Sequence, residues 1–375
     1  MELNQSRTTR LREFITTLYP WAHGHQRKAL ADFVAALLTV KSCSQAALAG
    51  AFEKKKAAQK RLTRWLHNER LDPDALAQGV AQEIVAHLAR HRLVRLALDW
   101  TVEDDKHVLV ASLIVGRRAV PLYWRVYRAG TFKHHRSRLE RAFVQRLFEV
   151  ILRAVPRAQC LLTADRGFAD VRLFELLDRL QVAYLIRVKA GVKVCVDGIW
   201  CQLKTLRLRG NTRRRSLGRV RYCERAPRRL YLTQSRARTR SGEWGIWWLA
   251  SNRNFTPLQA TQEYARRWGC ECGFRDAKHL LGLKAAQIAD RQAYARMFTL
   301  VALGLLLLAL LAYAFVVRER QAARRLRSVG LRHTTGGEIS LWAALLHLLA
   351  HDVGLFDYLL VPINLNREVT LPNVS

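Results

Sequence analysis

One stretch of the sequence places a single carboxylate among phenolic and cationic side chains at helical spacing. In the run YARRWGCECGFRDAK, Tyr264, Arg267, Glu271, Arg275 and Lys278 follow one another at intervals of three or four residues. On an α-helix these side chains fall within an arc of about 80°. The rise of about 1.5 Å per residue puts Arg267 about 6 Å before Glu271 and Lys278 about 10 Å beyond it, which is similar to phosphate spacing along a nucleic-acid strand. The stripe indicates a helix that holds a metal ion and grips DNA, although alone it would also suit a surface helix with ordinary charge pairs.

Two further carboxylates are each predicted to end a buried strand. The apolar run LVRLALDWT ends on Asp99, and the run QCLLTADRGF ends on Asp165 before a glycine turn. Three predicted antiparallel strands begin at the first run, and the order strand-strand-strand-helix-strand-helix-strand follows. In a sheet of that order the two aspartates lie on adjacent strands. The pair therefore predicts a site rather than two unrelated turn formers.

Together the three acidic residues define a metal-binding hypothesis. Asp99, Asp165 and Glu271 offer oxygen ligands, which select Mg²⁺ or Mn²⁺ over zinc. Two such ions about 4 Å apart would activate a water or a 3′-hydroxyl for in-line attack on a phosphodiester. Three clustered carboxylates repel one another, so at least one of them is expected to have a raised pKa without metal.

Composition points to a folded protein with a polyanionic partner. The chain has 375 residues, 50% of them hydrophobic, and 63 Lys plus Arg against 30 Asp plus Glu, a formal charge of +33. Nucleic acid is the expected partner of such an excess. Seven cysteines without a C-x-x-C pair, and no apolar signal segment in residues 1–15, favour reduced thiols in the cytoplasm. Residues 297–317 carry no charge and are long enough to span a membrane, but arginines flank both ends, so a buried central helix is the favoured interpretation.

The remaining chain divides by composition and periodicity. Residues 44–68 have the outline of a helix-turn-helix with Ser44 as cap and Gly50 in the turn, although a basic helix pair in a support domain fits equally well. Residues 205–240 hold thirteen arginines and one acidic residue, which indicates a β-rich insertion facing a polyanion. The strand WGIWWLASN after it carries three tryptophans, any of which is a candidate for base stacking: Trp244, Trp247 and Trp248.

The motifs together resemble one family. The spacing Tyr264-x2-Arg267-x3-Glu271-x6-Lys278 is similar to the Y-R-E-K signature of bacterial DDE-class transposases of the family named after insertion sequence four. LALDWT and LLTADRGF resemble that family's first and second Asp motifs, so the resemblance covers about residues 90–330. It departs from the family in the glycines and cysteines around Glu271. Gly269 and Gly273 imply distortion or close packing, and Cys270 and Cys272 are interpreted as small buried residues rather than soft metal ligands.

The resemblance implies an α/β fold, a ribonuclease H-like core interrupted by a β-rich insertion. Its expected core segments are residues 91–190 and 251–330, with the insertion at 191–250 between them. The other two parts match no family signature and are expected from the architecture alone: a helical DNA-binding domain in residues 1–90 and a helical region that is a candidate for dimerisation in residues 331–375.

The resemblance also implies an activity, namely cut-and-paste transposition at terminal inverted repeats, through hairpinned ends, by a homodimer with two Mg²⁺ or Mn²⁺ ions. Asp99, Asp165 and Glu271 would hold the metals, whereas Tyr264, Arg267 and Lys278 would grip phosphates; Arg275 on the same stripe is a further DNA contact. Three alternatives remain open: a metal-dependent nuclease without strand transfer, a DNA-binding repressor derived from a transposase, and a protein spanning a membrane at residues 297–317.

Overall fold

A computed structural model of the chain describes residues 9–88, 93–116, 118–132, 135–206, 208, 210–238 and 244–318, together with 342, 343, 345, 346 and 349. Most of the predicted C-terminal helical region, 331–375, lies outside these residues. The N-terminal part is helical, as predicted, and consists of α1 (Thr9–Leu18), α2 (Gly24–Val40), α3 (Gln45–Gly50), α4 (Lys55–Leu66) and α5 (Pro73–Leu88). Ser44 occupies the cap position of α3, but its side chain makes no capping hydrogen bond.

A large mixed sheet follows these helices. The predicted antiparallel meander is confirmed as β1 (Val94–Glu103), β2 (Lys106–Val115) and β3 (Arg118–Arg128). Next come α6 (Arg136–Ile151), β4 (Cys160–Ala164), α7 (Val171–Arg179) and β5 (Ala183–Arg187), with β1, β4 and β5 mutually parallel. This order of strands and helices is the predicted one. It places the predicted Asp99 and Asp165 strands side by side.

The Arg-rich region does form strands, and they extend the same sheet. They are β6 (Lys193–Val196), β7 (Ile199–Gln202), β8 (Arg214–Tyr222), β9 (Arg228–Arg238) and β10 (Trp244–Ser251). In the part of the chain that is described, the ten strands lie in the order β3-β2-β1-β4-β5-β10-β9-β8-β6-β7. Because β10 pairs with both β5 and β9, the insertion shares one continuous sheet with the preceding strands.

Strand β1 is longer than predicted. Pairing with β2 continues from Asp99, opposite Val110, to Glu103, opposite Lys106, so the expectation that the strand ends on Asp99 is wrong. Hairpin pairing to β2 extends the strand past its apolar run, because the ladder satisfies backbone groups whatever the side chains are. Asp165 does directly follow the last residue of β4, as predicted.

The predicted continuous helix over residues 264–278 is broken. Helix α8 (Pro257–Ala265) is separated by a turn from α9 (Trp268–Arg275), and a π-helical turn covers Asp276–Leu280. A Cβ added to Gly273 would lie 2.6 Å from the Ala119 carbonyl oxygen of β3, and one added to Gly269 would lie 3.0 Å from the Arg118 backbone. Cys270 is 1% exposed, which confirms its interpretation as a small buried residue, whereas Cys272 is only half-buried, so the same interpretation is wrong for it. Small residues thus let α9 approach the sheet closely, and the single stripe is divided between three short segments.

The apolar segment forms most of helix α10 (Arg291–Arg318). It is the one described helix that is long and apolar enough to cross a membrane, and 89% of its apolar window is buried inside the protein. It packs against the N-terminal helices and β3, and one hydrophobic cluster runs from α1 through α10 to the sheet. This burial supports the interpretation of a core helix.

Candidate active site

The side chains of Asp99 and Arg267 form the closest ion pair of the predicted site. Arg267 Nη1 donates to Asp99 Oδ2 at 2.8 Å, and the Trp100 backbone N–H donates to Asp99 Oδ1 at 2.9 Å. Burial raises the pKa of Asp99 above its ordinary value, against the lowering effect of Arg267, and the nearby charge of Asp165 adds to the increase. The site therefore holds a carboxylate that is costly to ionise unless a cation lies beside it.

Asp165 contacts the residues of two other elements. The Tyr264 hydroxyl of α8 donates to Asp165 Oδ1 at 3.3 Å, and Arg187 Nη1, at the end of β5, lies 3.9 Å from the same oxygen. Tyr264 is 4% exposed, and burial raises its pKa, so it is a neutral donor. Its ring meets Trp247 of β10 edge to face at a centroid distance of 5.0 Å.

Arg267 connects the third carboxylate to the other two. Its Nη2 lies 3.6 Å from Glu271 Oε1, and its guanidinium lies 5.8 Å from the centre of the Tyr264 ring. Burial opposes the charge on Arg267, but Tyr264, Asp99 and Asp165 outweigh it and raise its pKa. The guanidinium is therefore a permanent cation between Asp99 and Glu271.

The donor chemistry of this site fits Mg²⁺ or Mn²⁺, since Asp99, Asp165 and Glu271 supply only carboxylate oxygens. Among the described residues, however, no three His, Cys, Asp or Glu side chains are close enough together to hold one ion. Arg267 supplies the neutralising charge between Asp99 and Glu271 in this conformation.

The last two residues of the predicted stripe lie apart from Asp99. Lys278 Nζ donates to the Val102 carbonyl at 2.7 Å and pairs with Glu103 Oε2 at 2.9 Å. Glu103 lies four residues beyond Asp99 on β1, which corresponds to about 13 Å. Arg275 is exposed, and its guanidinium lies 3.9 Å from Cys272 Sγ. Both residues lie beyond Glu271 along the chain, Arg275 at the end of α9 and Lys278 in the π-helical turn.

The three tryptophans of β10 have different environments. Trp248 is 2% exposed and belongs to the main hydrophobic core, whereas Trp244 is 58% exposed. Trp247 is half-buried against Tyr264, and it is the tryptophan that the structure brings next to the predicted site. Neighbouring residues of a strand face opposite sides, which explains why Trp247 and Trp248 differ.

Sequence reasoning missed several residues of this region. Arg187 ends the apolar strand next to that of Asp165, a signal of the same kind as the one that identified Asp165 itself. Glu103 gave no signal, because its link to Lys278 depends on how far β1 extends. Arg95 and Glu263, joined by two hydrogen bonds of 2.6 and 2.9 Å, fasten α8 to β1 and were also missed.

Comparison with known protein families finds a model that matches part of the chain. Residues 140–307 match the model of a family described as "Transposase DDE domain". The matched segment contains Asp165 and all residues of the Y-R-E-K spacing, and it begins after Asp99. A search of the curated proteins finds no match. The family match indicates a DDE transposase enzyme that acts on DNA in transposition and recombination.

Proposed function

We propose that the protein moves a bacterial insertion sequence of the insertion-sequence-four type by cutting and joining DNA at its terminal inverted repeats. The observation that carries this proposal is the convergence on Arg267 and Tyr264: Arg267 contacts Asp99 and Glu271, and Tyr264 contacts Asp165. Three carboxylates from three separate elements thus lie beside Arg267 and Tyr264, the two side chains expected to contact DNA phosphates. An ion pair that only stabilised the fold would not need three carboxylates from separate elements around the same two side chains.

The mixed sheet supports a ribonuclease H-like catalytic core, made of residues 91–190 and 251–330 and interrupted by the insertion 191–250. Residues 1–90 would then bind the terminal repeats through α3 and α4, whose outer side carries exposed Lys54, Lys55, Lys56 and Lys60. Residues 331–375 remain the proposed dimerisation region of a DNA-bound homodimer. We place this activity in the bacterial cytoplasm, on the nucleoid.

The residues of the site divide into two roles. DDE transposases generally use divalent metal ions, and Asp99, Asp165 and Glu271 would hold two of them here. Such ions supply Lewis-acid stabilisation of the attacking and leaving oxygens. Tyr264 donates a neutral hydrogen bond from the buried side, and Arg267 can exchange its carboxylate partners for a phosphate, because guanidinium binds both groups with the same fork geometry.

Three further side chains would complete the grip on DNA. Lys278 and Arg275 would contact the backbone beyond the cleaved bond. Trp247 has the best position to stack on an unpaired base, since it already lies against Tyr264. Trp244 is exposed further along the same strand, and Trp248 would have to leave the core to take part.

The test is cleavage of a plasmid that carries the gene and its own flanking DNA, with Mg²⁺ or with chelator. The variants are Asp99→Asn, Asp165→Asn and Glu271→Gln, and Glu149→Gln, on the exposed side of α6, is the matched control. We expect metal-dependent excision and joining by wild type and control, and a loss of at least roughly a hundredfold in each site variant with DNA binding kept. Cleavage without joined products would favour a nuclease, and binding without any cleavage would favour a repressor.

A further inference from the structure

The register of the sheet places the insertion on the same face as the candidate active site. One row of paired residues crosses six strands, from β1 to β8, and consists of Ala97, Thr163, Leu185, Ser251, Tyr231 and Arg219. Residues opposite one another in a ladder point to the same side of the sheet, as do residues two apart in a strand. The face that carries Asp99 on β1 is therefore the face that carries Arg219 on β8.

Helix α8 lies on that face between the two regions. Its Thr261 hydroxyl lies 2.6 Å from the Ser235 hydroxyl of β9, and Ala260 and Tyr264 pack on Leu185 and Leu249. The outer side of α8 exposes Leu258, Gln262 and Arg266. Its one carboxylate, Glu263, is held by Arg95. No exposed acidic side chain of α8 thus separates the site from the insertion.

Beyond α8 the same face exposes four arginines of β8 and β9, which we call the arginine face: Arg214, Arg219, Arg221 and Arg229. None of them has an acidic partner among the described residues. Arg221 and Arg229 are directly opposite each other, and like charges in that position destabilise a sheet. Arg221 also lies over the ring of Trp200, 5.6 Å from its centre.

Two arginines on the opposite side of these strands behave differently. Arg228, next to Arg229 but pointing to the opposite side, pairs with Asp178 of α7. Arg215 donates to Gln234 at 2.8 Å. Arg215 and Arg228 are thus used within the fold on the α7 side. The arginine face has no acidic partner among the described residues, and of its four members Arg221 donates to Cys195 Sγ at 3.1 Å.

The spacing between strands gives the distance from the candidate active site to the arginine face. Five strand-to-strand steps separate β1 from β8, which at about 4.8 Å each amount to about 24 Å. A B-DNA duplex advances about 3.4 Å per base pair, so 24 Å corresponds to about seven base pairs. A duplex whose end lies at Asp99 and Asp165 and which crosses α8 would bring its backbone over the arginine face at that depth.

We infer that the arginine face binds the phosphate backbone of the same duplex whose end occupies the candidate active site, about seven base pairs from the cleaved bond. This inference rests on the proposed function for the position of the DNA end. DNA is the fitting polyanion, because the surface is continuous with the face on which the candidate DNA-cleaving residues lie. The arginine face thus holds the duplex at a second point and fixes the direction in which it leaves the site.

The test compares pre-cleaved terminal-repeat duplexes of 5 and 15 base pairs, each closed by a hairpin at its inner end. Full-length wild type is compared with the double variant Arg219→Gln/Arg229→Gln. The control double variant, Arg153→Gln/Arg157→Gln, removes the same charge from exposed positions between α6 and β4. Binding is measured by fluorescence anisotropy across a salt series without metal, so that the readout is independent of cleavage.

For the 15-base-pair duplex, we expect the slope of log affinity against log salt to become less steep by about 2 in the arginine-face variant. Each lost phosphate contact removes the release of about one counterion. The slope for the 5-base-pair duplex should not change, and the control should keep the wild-type slope for both duplexes. Hydroxyl-radical footprinting should show protection about seven base pairs from the end that the variant loses. Equal losses on both duplexes, or none on either, would overturn the inference. Failure of wild type to cleave DNA would instead count against the proposed function alone.

Discussion

The sheet face that carries Asp99 and the arginine face uses arginine in opposite ways at its two ends. At the end with the candidate active site, each buried or half-buried arginine meets a carboxylate, in the pairs Arg267–Asp99, Arg187–Asp165 and Arg95–Glu263. At the insertion end the arginine face has no acidic partner among the described residues, although it belongs to the same sheet. Paired arginines fix the positions of α8 and the carboxylates, whereas unpaired ones leave a field that a phosphate backbone can neutralise.

The difference shows that arginine has two roles within one sheet: holding structural elements together and providing unneutralised positive charge. A paired arginine that is largely shielded from water is costly to remove, because its partner remains charged. An arginine opposite another arginine is unfavourable until something else binds. Net charge alone, +33 in this chain, does not distinguish the two.

The largest effect is expected from removing the central cation of the active-site end. Arg267→Met should lower the free energy of unfolding by about 2 kcal/mol, because Asp99 is left without its counter-charge while keeping some contact with water. Urea unfolding of the metal-free, DNA-free protein measures it. The double variant Asp99→Asn/Arg267→Met should recover most of the loss. If the second change gave no recovery, Asp99 and Arg267 would not be coupled as the 2.8 Å contact indicates.

A somewhat smaller effect is expected from the backbone contact that seats α9. Gly273→Ala would place a Cβ 2.6 Å from the Ala119 carbonyl oxygen, and the shift needed should cost about 1 to 2 kcal/mol in thermal unfolding. The control comes from the start of the insertion: Gly191 has nothing within 4 Å of its added Cβ, so Gly191→Ala should be neutral or slightly stabilising. Equal responses at the two sites would mean that α9 is not held tightly on β3.

A pH-dependent effect on stability is expected at a buried carboxylate of α6. Glu140 of α6 is 2% exposed and accepts hydrogen bonds from Trp100 Nε1 at 2.7 Å and Arg136 Nε at 2.9 Å. Burial outweighs these bonds and raises its pKa above the ordinary 4.5. Folding therefore takes up a proton between 4.5 and the raised value, and stability falls as pH increases through that window. Glu140→Gln should remove this slope in urea unfolding measured from pH 4 upward, an effect of about 1 kcal/mol or less.

The control for that slope is a carboxylate whose pKa moves in the other direction. Hydrogen bonds from Gln145 and Arg146 lower the pKa of Glu149, so its contribution to stability is lost as pH falls through the lowered value. Glu149→Gln should therefore remove a slope of opposite sign. The same sign in both variants would contradict the assigned cause for Glu140.

The smallest effect is expected at the arginine face. Arg229→Thr should raise the free energy of unfolding by a few tenths of a kcal/mol at low salt, because it relieves the like-charge pair with Arg221. At about 1 M salt the gain should vanish. The neighbouring change Arg228→Thr should destabilise instead, since Arg228 pairs with Asp178. A stabilising Arg228→Thr would show that the two sides of β9 do not differ as described.

Sequence patterns predicted the order of strands and helices along the chain and the adjacency of the two strands that carry Asp99 and Asp165, because apolar periodicity and short connections determine which strands are neighbours. They did not predict where β1 ends, since pairing with β2 carries it through Thr101 and Glu103, which are not apolar. The break before α9 was also missed. Helical spacing assumes an unbroken helix, whereas the contacts of Gly269 and Gly273 with β3 are long-range and leave no local periodicity.

The candidate site was predictable in its residue types but not in its pairing. Spacing placed Arg267 and Glu271 on one helix, but it could not reveal that Arg267 would reach Asp99 on another element. The division of the arginines into paired and unpaired sets depends on which side of β8 and β9 each one points to. A bulge near Gly218, between Ser216 and Arg219, shifts that register, and it is visible only once the strands are aligned.

The long buried helix has a consequence for how such enzymes change their DNA specificity. Arg296 of α10 donates to the carbonyls of Leu66 and Leu71 at 2.8 and 2.7 Å, so the end of α4 and the loop after it are fastened to a helix encoded more than two hundred residues later. Exchange of the first 90 residues between related genes would split a single core in two. If α4 reads the terminal repeats as proposed, new end sequences would be acquired more readily by point substitutions on its outer surface than by exchange of whole domains.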